Sequence, residues 1–107
     1  MPEGVEITIE AAVRSLGTTY ANLIRRGADG SLSLSADRWR IAALDVRAIR
    51  FTAQAEEADD LILDREDVLF ATWDRLPKQH VRSQVRFYLR SGDLWTLSGA
   101  FEEPTFP

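Results

Sequence analysis

The sequence predicts a mainly β protein, a small antiparallel β roll or barrel with a C-terminal hairpin and the option of one short helix. Two observations support this fold class, and a third shows that the chain can bury a core. Residues 81–101 alternate apolar and polar side chains in two runs separated by a glycine-containing loop. Turn signals recur at intervals of about ten residues, a spacing typical of rolls and barrels. The apolar content of 45% suffices for a buried core in a chain of 107 residues.

The C-terminal hairpin is the clearest element of the sequence. Because side chains alternate with a period of two, one face of its first strand carries the core set Val81, Ser83, Val85, Phe87 and Leu89. Glycine tolerates positive φ, so Ser91-Gly92-Asp93 is expected to form the loop. Matching apolar residues across this loop pairs Arg90 with Leu94, Leu89 with Trp95, Phe87 with Leu97 and Val85 with Gly99.

The opposite face of the same strand carries the candidate binding residues, Arg82, Arg86, Tyr88 and Arg90. Positions four residues apart on a strand lie about 13 Å from each other on one face. Arginines with an aromatic ring between them can pair with phosphate and stack on bases, which suits single-stranded nucleic acid. The favoured interpretation is plainer: a solvated outer face whose arginines pair with acidic residues.

Composition restricts the classes of function. The net charge of −4 disfavours a generally basic nucleic-acid binder, although a local basic face is compatible with it. The lack of cysteine excludes disulfides and cysteine metal sites. No apolar run is long enough to cross a bilayer, and the first residues lack a signal-peptide pattern. We therefore expect one soluble, cytoplasmic domain over residues 1–107, without membrane insertion.

The first segment of the chain, residues 5–16, fits two templates. As a strand, it alternates valine and isoleucine with polar residues. As a helix, it repeats Ile9, Val13 and Leu16 at spacings of four and three. Periodicity leaves both open, and a turn is expected at residues 17–19.

From residue 18 onward the favoured interpretation is a β meander. It consists of a strand at residues 18–26, a turn at 27–30, a strand at 31–35, a tight turn at Ala36-Asp37 and a strand at 39–41. A change of phase within residues 44–51 indicates a bulge or a short helical turn. The remaining segments are a polar loop at 54–60, apolar runs at 61–63 and 68–73, a loop at 76–79 and a frayed tail at 102–107.

The first half also resembles a winged helix-turn-helix of the excisionase and MerR-regulator kind. The resemblance lies in the order of short motifs: Glu10-Ala11-Ala12, Leu16-Gly17, Leu23-Ile24-Arg25-Arg26-Gly27, Arg38-Trp39-Arg40-Ile41 and Asp45. It implies a DNA-binding winged helix in residues 5–50, followed by a β extension. It further implies DNA contacts from Thr18, Thr19, Asn22, Arg25 and Arg26, and phosphate contacts from Arg38 and Arg40. The β meander is preferred because the second half is β-rich under either interpretation.

Other reactive residues form no recognisable site. The acidic run lacks the spacing and central glycine of a calcium-binding EF-hand loop, so a solvated loop is favoured over a cation site: Glu56, Glu57, Asp59, Asp60, Asp64, Glu66 and Asp67. His80 is the only histidine and has no nucleophile or second metal ligand near it in sequence. We expect no metal, no cofactor and no enzymatic activity, and we expect Trp39, Trp73 and Trp95 in the core.

The function expected from the sequence is that of a small non-enzymatic binding or assembly module acting through its sheet faces. Its partner would be a second copy of itself or another protein, and nucleic acid is the second choice. The arginine face of one copy could meet the acidic run of another and drive head-to-tail association.

Overall fold

The computed structural model describes residues 4–76 and 82–104. Within them the chain forms eight strands, one α-helix and one 3₁₀ turn. In chain order they are β1 (Val5–Ile7), α1 (Ile9–Leu16), β2 (Ala21–Arg26), β3 (Leu32–Leu44), β4 (Ala48–Ala53), β5 (Leu61–Asp64), the 3₁₀ turn (Arg65–Asp67), β6 (Val68–Arg75), β7 (Ser83–Leu89) and β8 (Leu94–Gly99). The predicted mainly β fold with one short helix is confirmed.

All strands belong to one antiparallel sheet with the order β1-β6-β7-β8-β2-β3-β4-β5. In a flat sheet of this order β5 and β6 would lie about 29 Å apart, because neighbouring strands are about 4.8 Å apart. The connection between them, Arg65–Asp67, can bridge at most about 14 Å. The sheet therefore curls until its two ends approach each other, as in a roll or barrel.

The core fills the inside of this curled sheet. Phe51 of β4 and Phe87 of β7 are fully buried and meet edge to face, with ring centroids 6.5 Å apart. Helix α1 packs against β3 and β6, which are far apart in the strand order, so it lies across one end of the roll. Its buried residues Ala11, Ala12 and Leu16 close that end.

Both templates that fit residues 5–16 are correct, each for a different part. Residues before Thr8 form β1 and pair with β6. The Thr8 hydroxyl then accepts a hydrogen bond from Ala11 N at 3.0 Å and caps the start of α1. Gly17 ends the helix with φ of 53°. A capping side chain inside the ambiguous segment thus separates strand from helix.

The segment that would be the recognition helix of a winged helix-turn-helix is strand β2. Ala21 and Leu23 are buried while Asn22 and Ile24 are exposed, which is strand periodicity. Leu23 pairs with Leu97 of β8 in the middle of the sheet. The structure accounts for the whole first half without a winged helix.

A bulge replaces the tight turn predicted at Ala36-Asp37, so β3 is one continuous strand. The register in which β3 pairs with β2 before Leu23 differs from the register after it, which marks the bulge. Ser35 Oγ stabilises the bulge by accepting hydrogen bonds from Asp37 N at 3.3 Å and from Trp39 Nε1 at 2.8 Å. The turn predicted at Ala36-Asp37 is therefore wrong. Small and acidic residues are typical of turns, but they are also compatible with a bulge.

The loop of the β7–β8 hairpin begins one residue earlier than predicted. Leu89 N donates to Asp93 O and Gly92 N donates to Leu89 O, both at 2.9 Å, so residues 90–92 form the loop. Gly92 has φ of 94° and occupies the last loop position. That is where a three-residue hairpin loop requires the left-handed conformation.

This shift changes the register of the hairpin but not its faces. Phe87 pairs with Trp95 and Val85 with Leu97, so the predicted register is wrong by two residues. A slip of two keeps every side chain on its predicted side of the sheet. The inward face is confirmed by the burial of Phe87, Val85 and Leu97.

We expect Gly92→Val to lower the free energy of unfolding by about 2 kcal/mol. Any residue with a Cβ would be strained at the positive φ of this position. Its Cβ would also lie only 3.0 Å from Ala28 Cβ. Gly30→Val is the matched control, because Gly30 has φ of 87° and no atom within 4 Å of such a Cβ. Urea denaturation should show a smaller loss for the control, and an unchanged midpoint for Gly92→Val would contradict the turn geometry.

The predicted frayed tail is anchored as far as residue 104. Ser15 Oγ donates a hydrogen bond to the carbonyl oxygen of Glu102, and Pro104 is buried. The frayed-tail prediction is therefore wrong for residues 102–104. Residues 105–107 lie outside the described residues, as do His80 and most of the loop predicted at 76–79.

Candidate functional site

The predicted arginine row is divided among different environments. Arg86 lies on β7 with its Nη1 2.6 Å from Asp74 Oδ1, and its side chain is 12% exposed. Arg90 lies in the hairpin loop, where its Nε donates to the carbonyl oxygen of Glu66 at 3.2 Å. Arg82 precedes β7, and its carbonyl oxygen accepts a hydrogen bond from Leu76 N at 3.0 Å. Of the three arginines only Arg86 lies within β7, and Arg82 and Arg90 flank the two ends of this strand.

Tyr88, the aromatic member of the predicted site, is stacked within the sheet. Its ring lies 4.5 Å from the ring of Phe70 on the neighbouring strand β6, with an angle of 18° between the planes. One face of the phenol ring is therefore covered by a side chain of the same molecule. This contact limits the stacking surface that Tyr88 offers to a base.

A second basic position lies on the strand pair β2–β8, where Arg25 is opposite Trp95. The Arg25 guanidinium lies over the Trp95 ring at 5.7 Å, and its Nε is buried without a hydrogen-bond partner among the described residues. A groove of about 290 Å³ passes these two side chains and Ser33. Asp93 also lines the groove, and its Oδ1 accepts a hydrogen bond from Ala28 N at 3.0 Å.

The acidic run lies partly beside basic residues. A groove of about 400 Å³ brings Asp64 and Glu66 next to Arg47 and Arg65. The Arg65 guanidinium also donates a hydrogen bond to Glu10 and thereby holds the pKa of that carboxyl below its usual value. Across the described part of the chain, no group of three or more histidine, cysteine or acidic residues is arranged to hold a metal ion.

Among the residues that the structure describes, three stretches of sheet edge differ in how well their backbone is protected. Strand β1 is only three residues long and includes Glu6. Strand β5 has four residues and is bounded by Asp60 and Asp64. Short or charged edges of this kind resist pairing with other chains.

The third edge is the first half of β3, residues 32–37. Strand β4 pairs with β3 only from Trp39 to Leu44, so residues 32–37 have a single neighbour, β2, within the described chain. No charged residue and no proline occurs from Gly30 to Ala36. Along residues 32–34 this edge therefore lacks the charge and the proline by which sheet proteins usually block strand addition, and its protection is confined to the bulge and Asp37 that follow.

The hydrogen-bond pattern shows which backbone groups face the open side. Gly27 N donates to Ser31 O at 2.8 Å, and Arg25 pairs with Ser33 in the same register. In an antiparallel pair successive residues direct their N–H and C=O groups to opposite sides of the strand. The backbone groups of Leu32 and Leu34 therefore point away from β2, toward the open side.

The same two residues carry exposed apolar side chains. Leu32 is 65% and Leu34 73% exposed, and Ile24 lies opposite Leu34 on β2. Together Ile24, Leu32 and Leu34 form a contiguous apolar surface, which we call the edge patch. The sequence shows the Ser-Leu alternation of a strand, but it contains no local signal that one side of this strand lacks a neighbour.

Comparison with known proteins assigns neither a family nor a function to the chain. No family model, curated protein or solved structure matches the chain. In the described ranges, no helix has the length and apolar character needed to span a membrane.

Proposed function

We propose that this protein is a small non-enzymatic binding or assembly module that acts through its sheet, by self-association or with a protein partner. The observation that supports it is the open edge at residues 32–37, where unpaired backbone groups coincide with the edge patch. An extended segment of another protein could add to the sheet at this edge. The proposal includes a cytoplasmic location, which the cysteine-free composition permits.

Strand addition would use both features of the edge. The outward N–H and C=O groups of Leu32 and Leu34 would supply affinity by extending the sheet hydrogen bonds, each worth about 0.5–1.5 kcal/mol. The exposed side chains of the edge patch would select apolar residues at alternate positions of the incoming strand. The exposed edge thus offers a site that recognises extended protein segments.

A labelled peptide probe tests this function directly. The probe is an eight-residue peptide of alternating valine and threonine, and its binding is followed by fluorescence anisotropy. We expect saturable binding that weakens by about tenfold or more when the peptide amides facing the protein are N-methylated, because two edge hydrogen bonds are lost. Leu34→Lys should weaken binding to a similar extent.

The matched control for this experiment is Ile62→Lys. Ile62 is 62% exposed on the short strand β5, outside the edge patch. Binding should be unchanged in this variant. Absence of peptide binding together with a strictly monomeric chain would overturn the proposed function.

A further inference from the structure

We propose that the strand received by this edge is the same segment of a second copy of the chain, paired antiparallel about a two-fold axis at Ser33. This inference rests on the proposed function and names its partner. It follows from three properties of residues 31–35: their sequence symmetry, the direction of their backbone groups and the position of their apolar side chains.

The first property is that Ser31-Leu32-Ser33-Leu34-Ser35 has the same sequence in both directions. Antiparallel pairing of two copies about Ser33 therefore places Leu32 opposite the partner's Leu34 and Ser31 opposite the partner's Ser35. Every apolar side chain meets an apolar one and every hydroxyl meets a hydroxyl. An interface between identical chains related by a two-fold axis must be self-complementary in this way.

The second property is the phase of the backbone hydrogen bonds. Ser33 directs its N–H and C=O toward β2, whereas Leu32 and Leu34 direct theirs to the open side. With the axis at Ser33, the leucine pairs on either side of it become the hydrogen-bonded pairs. Each Leu32 then exchanges backbone hydrogen bonds with the partner's Leu34, so the outward groups of both leucines in each copy are used.

Neighbouring registers with the same hydrogen-bond phase match less well. An axis at Leu34 would place Leu32 opposite the partner's Ala36, beside the bulge at Ser35. An axis at Leu32 would place Leu34 opposite the partner's Gly30 in the turn. Only the axis at Ser33 brings both leucines of each copy against leucine.

The third property is that the edge patch becomes continuous across the axis. Ile24 flanks Leu34 on the same face of the sheet, so each copy adds its own isoleucine behind the paired leucines. Side chains that are largely exposed in one copy would be covered by the corresponding side chains of the other. Arg26 lies opposite Leu32 on β2 and provides a charged boundary to the patch.

Sedimentation equilibrium of the full chain tests the identity of the partner. We expect the wild type to show a concentration-dependent monomer–dimer equilibrium and Leu34→Lys to raise the dissociation constant by about a hundredfold or more, because the axis duplicates each substitution. The control is Val46→Lys, because the Val46 side chain is 88% exposed and lies outside the edge patch. This variant should leave the monomer–dimer equilibrium unchanged. A dimer that Leu34→Lys does not weaken would overturn the inference.

A single cysteine tests the register, because the chain has no cysteine of its own. At the axis the two Ser33 residues form a non-hydrogen-bonded pair with Cα atoms about 4.5 Å apart, within the range of a disulfide. Ser33→Cys should form a disulfide-linked dimer on mild oxidation. Ser31→Cys should remain unlinked, since its two copies would be separated by about 13 Å along the strands.

The outcomes separate this inference from the proposed function. A monomeric wild type that still binds the valine–threonine peptide would overturn the second copy as partner and leave the binding module standing. A dimer in which Ser33→Cys fails to cross-link would overturn the register. A dimer that is weakened by Leu34→Lys and is cross-linked through Ser33→Cys would support the whole proposal.

Discussion

Phe87→Ala is expected to lower the free energy of unfolding by about 3–5 kcal/mol, the range for removing a buried aromatic ring. Phe87 is fully buried on the inner face of β7 and meets Phe51 edge to face. Truncation removes this contact and leaves a cavity that strands on both sides hold open, because their hydrogen bonds fix the spacing of the sheet. Urea denaturation followed by tryptophan fluorescence measures the loss.

Tyr88→Ala provides the matched control on the adjacent residue. Its ring faces outward and stacks on Phe70, so its truncation should cost about 1 kcal/mol. The difference between two neighbouring aromatic residues then reports the direction of each side chain. Equal losses for Phe87→Ala and Tyr88→Ala would contradict the inner face assigned to β7.

Asp74→Asn is the second substitution with a large expected effect, a loss of about 2–3 kcal/mol. The Asp74 carboxylate lies 2.6 Å from Arg86 Nη1, and the two side chains are 24% and 12% exposed. The substitution removes one negative charge from beside the Arg86 guanidinium in a largely dry setting. A fully buried pair would lose about 3–5 kcal/mol, and partial exposure reduces this figure.

The exposed pair Arg50–Asp60 supplies the control for this experiment. Its charged atoms are 3.7 Å apart and both side chains are about half exposed. Asp60→Asn should therefore change the free energy of unfolding by less than about 0.5 kcal/mol. If both asparagine variants lose the same small amount, the Arg86–Asp74 pair contributes no more than a solvated surface pair, which would contradict the effect expected here.

The faces of the strands could be predicted from sequence because they depend on neighbours along the chain. Phe87 and Leu97 are apolar at alternating positions, and burying that side is the only way to remove them from water. The loop position, in contrast, depends on which loop residue adopts positive φ. Moving Gly92 from the second to the third loop position changes the register by two residues without changing any face.

The candidate site was not predictable in the same way, because it depends on what lies beside a strand. The alternation of Leu32 and Leu34 with serine indicates a strand in any location. Whether a second neighbour covers that strand is decided by how far β4 extends along β3, and β4 pairs only from Trp39 onward. The Arg86–Asp74 pair could not be predicted for the same reason, since it joins residues on two neighbouring strands.

The pairing of β2 with β8 has a consequence for the time course of folding. It joins Asn22 to Ser98 and so places one of the first strands of the chain beside the last one. Closing so long a loop costs entropy before any contact compensates for it, and sheets dominated by such pairs fold in milliseconds to seconds. During synthesis β2 has to wait for residues 94–99 to leave the ribosome, and until then it has an unpaired edge of its own.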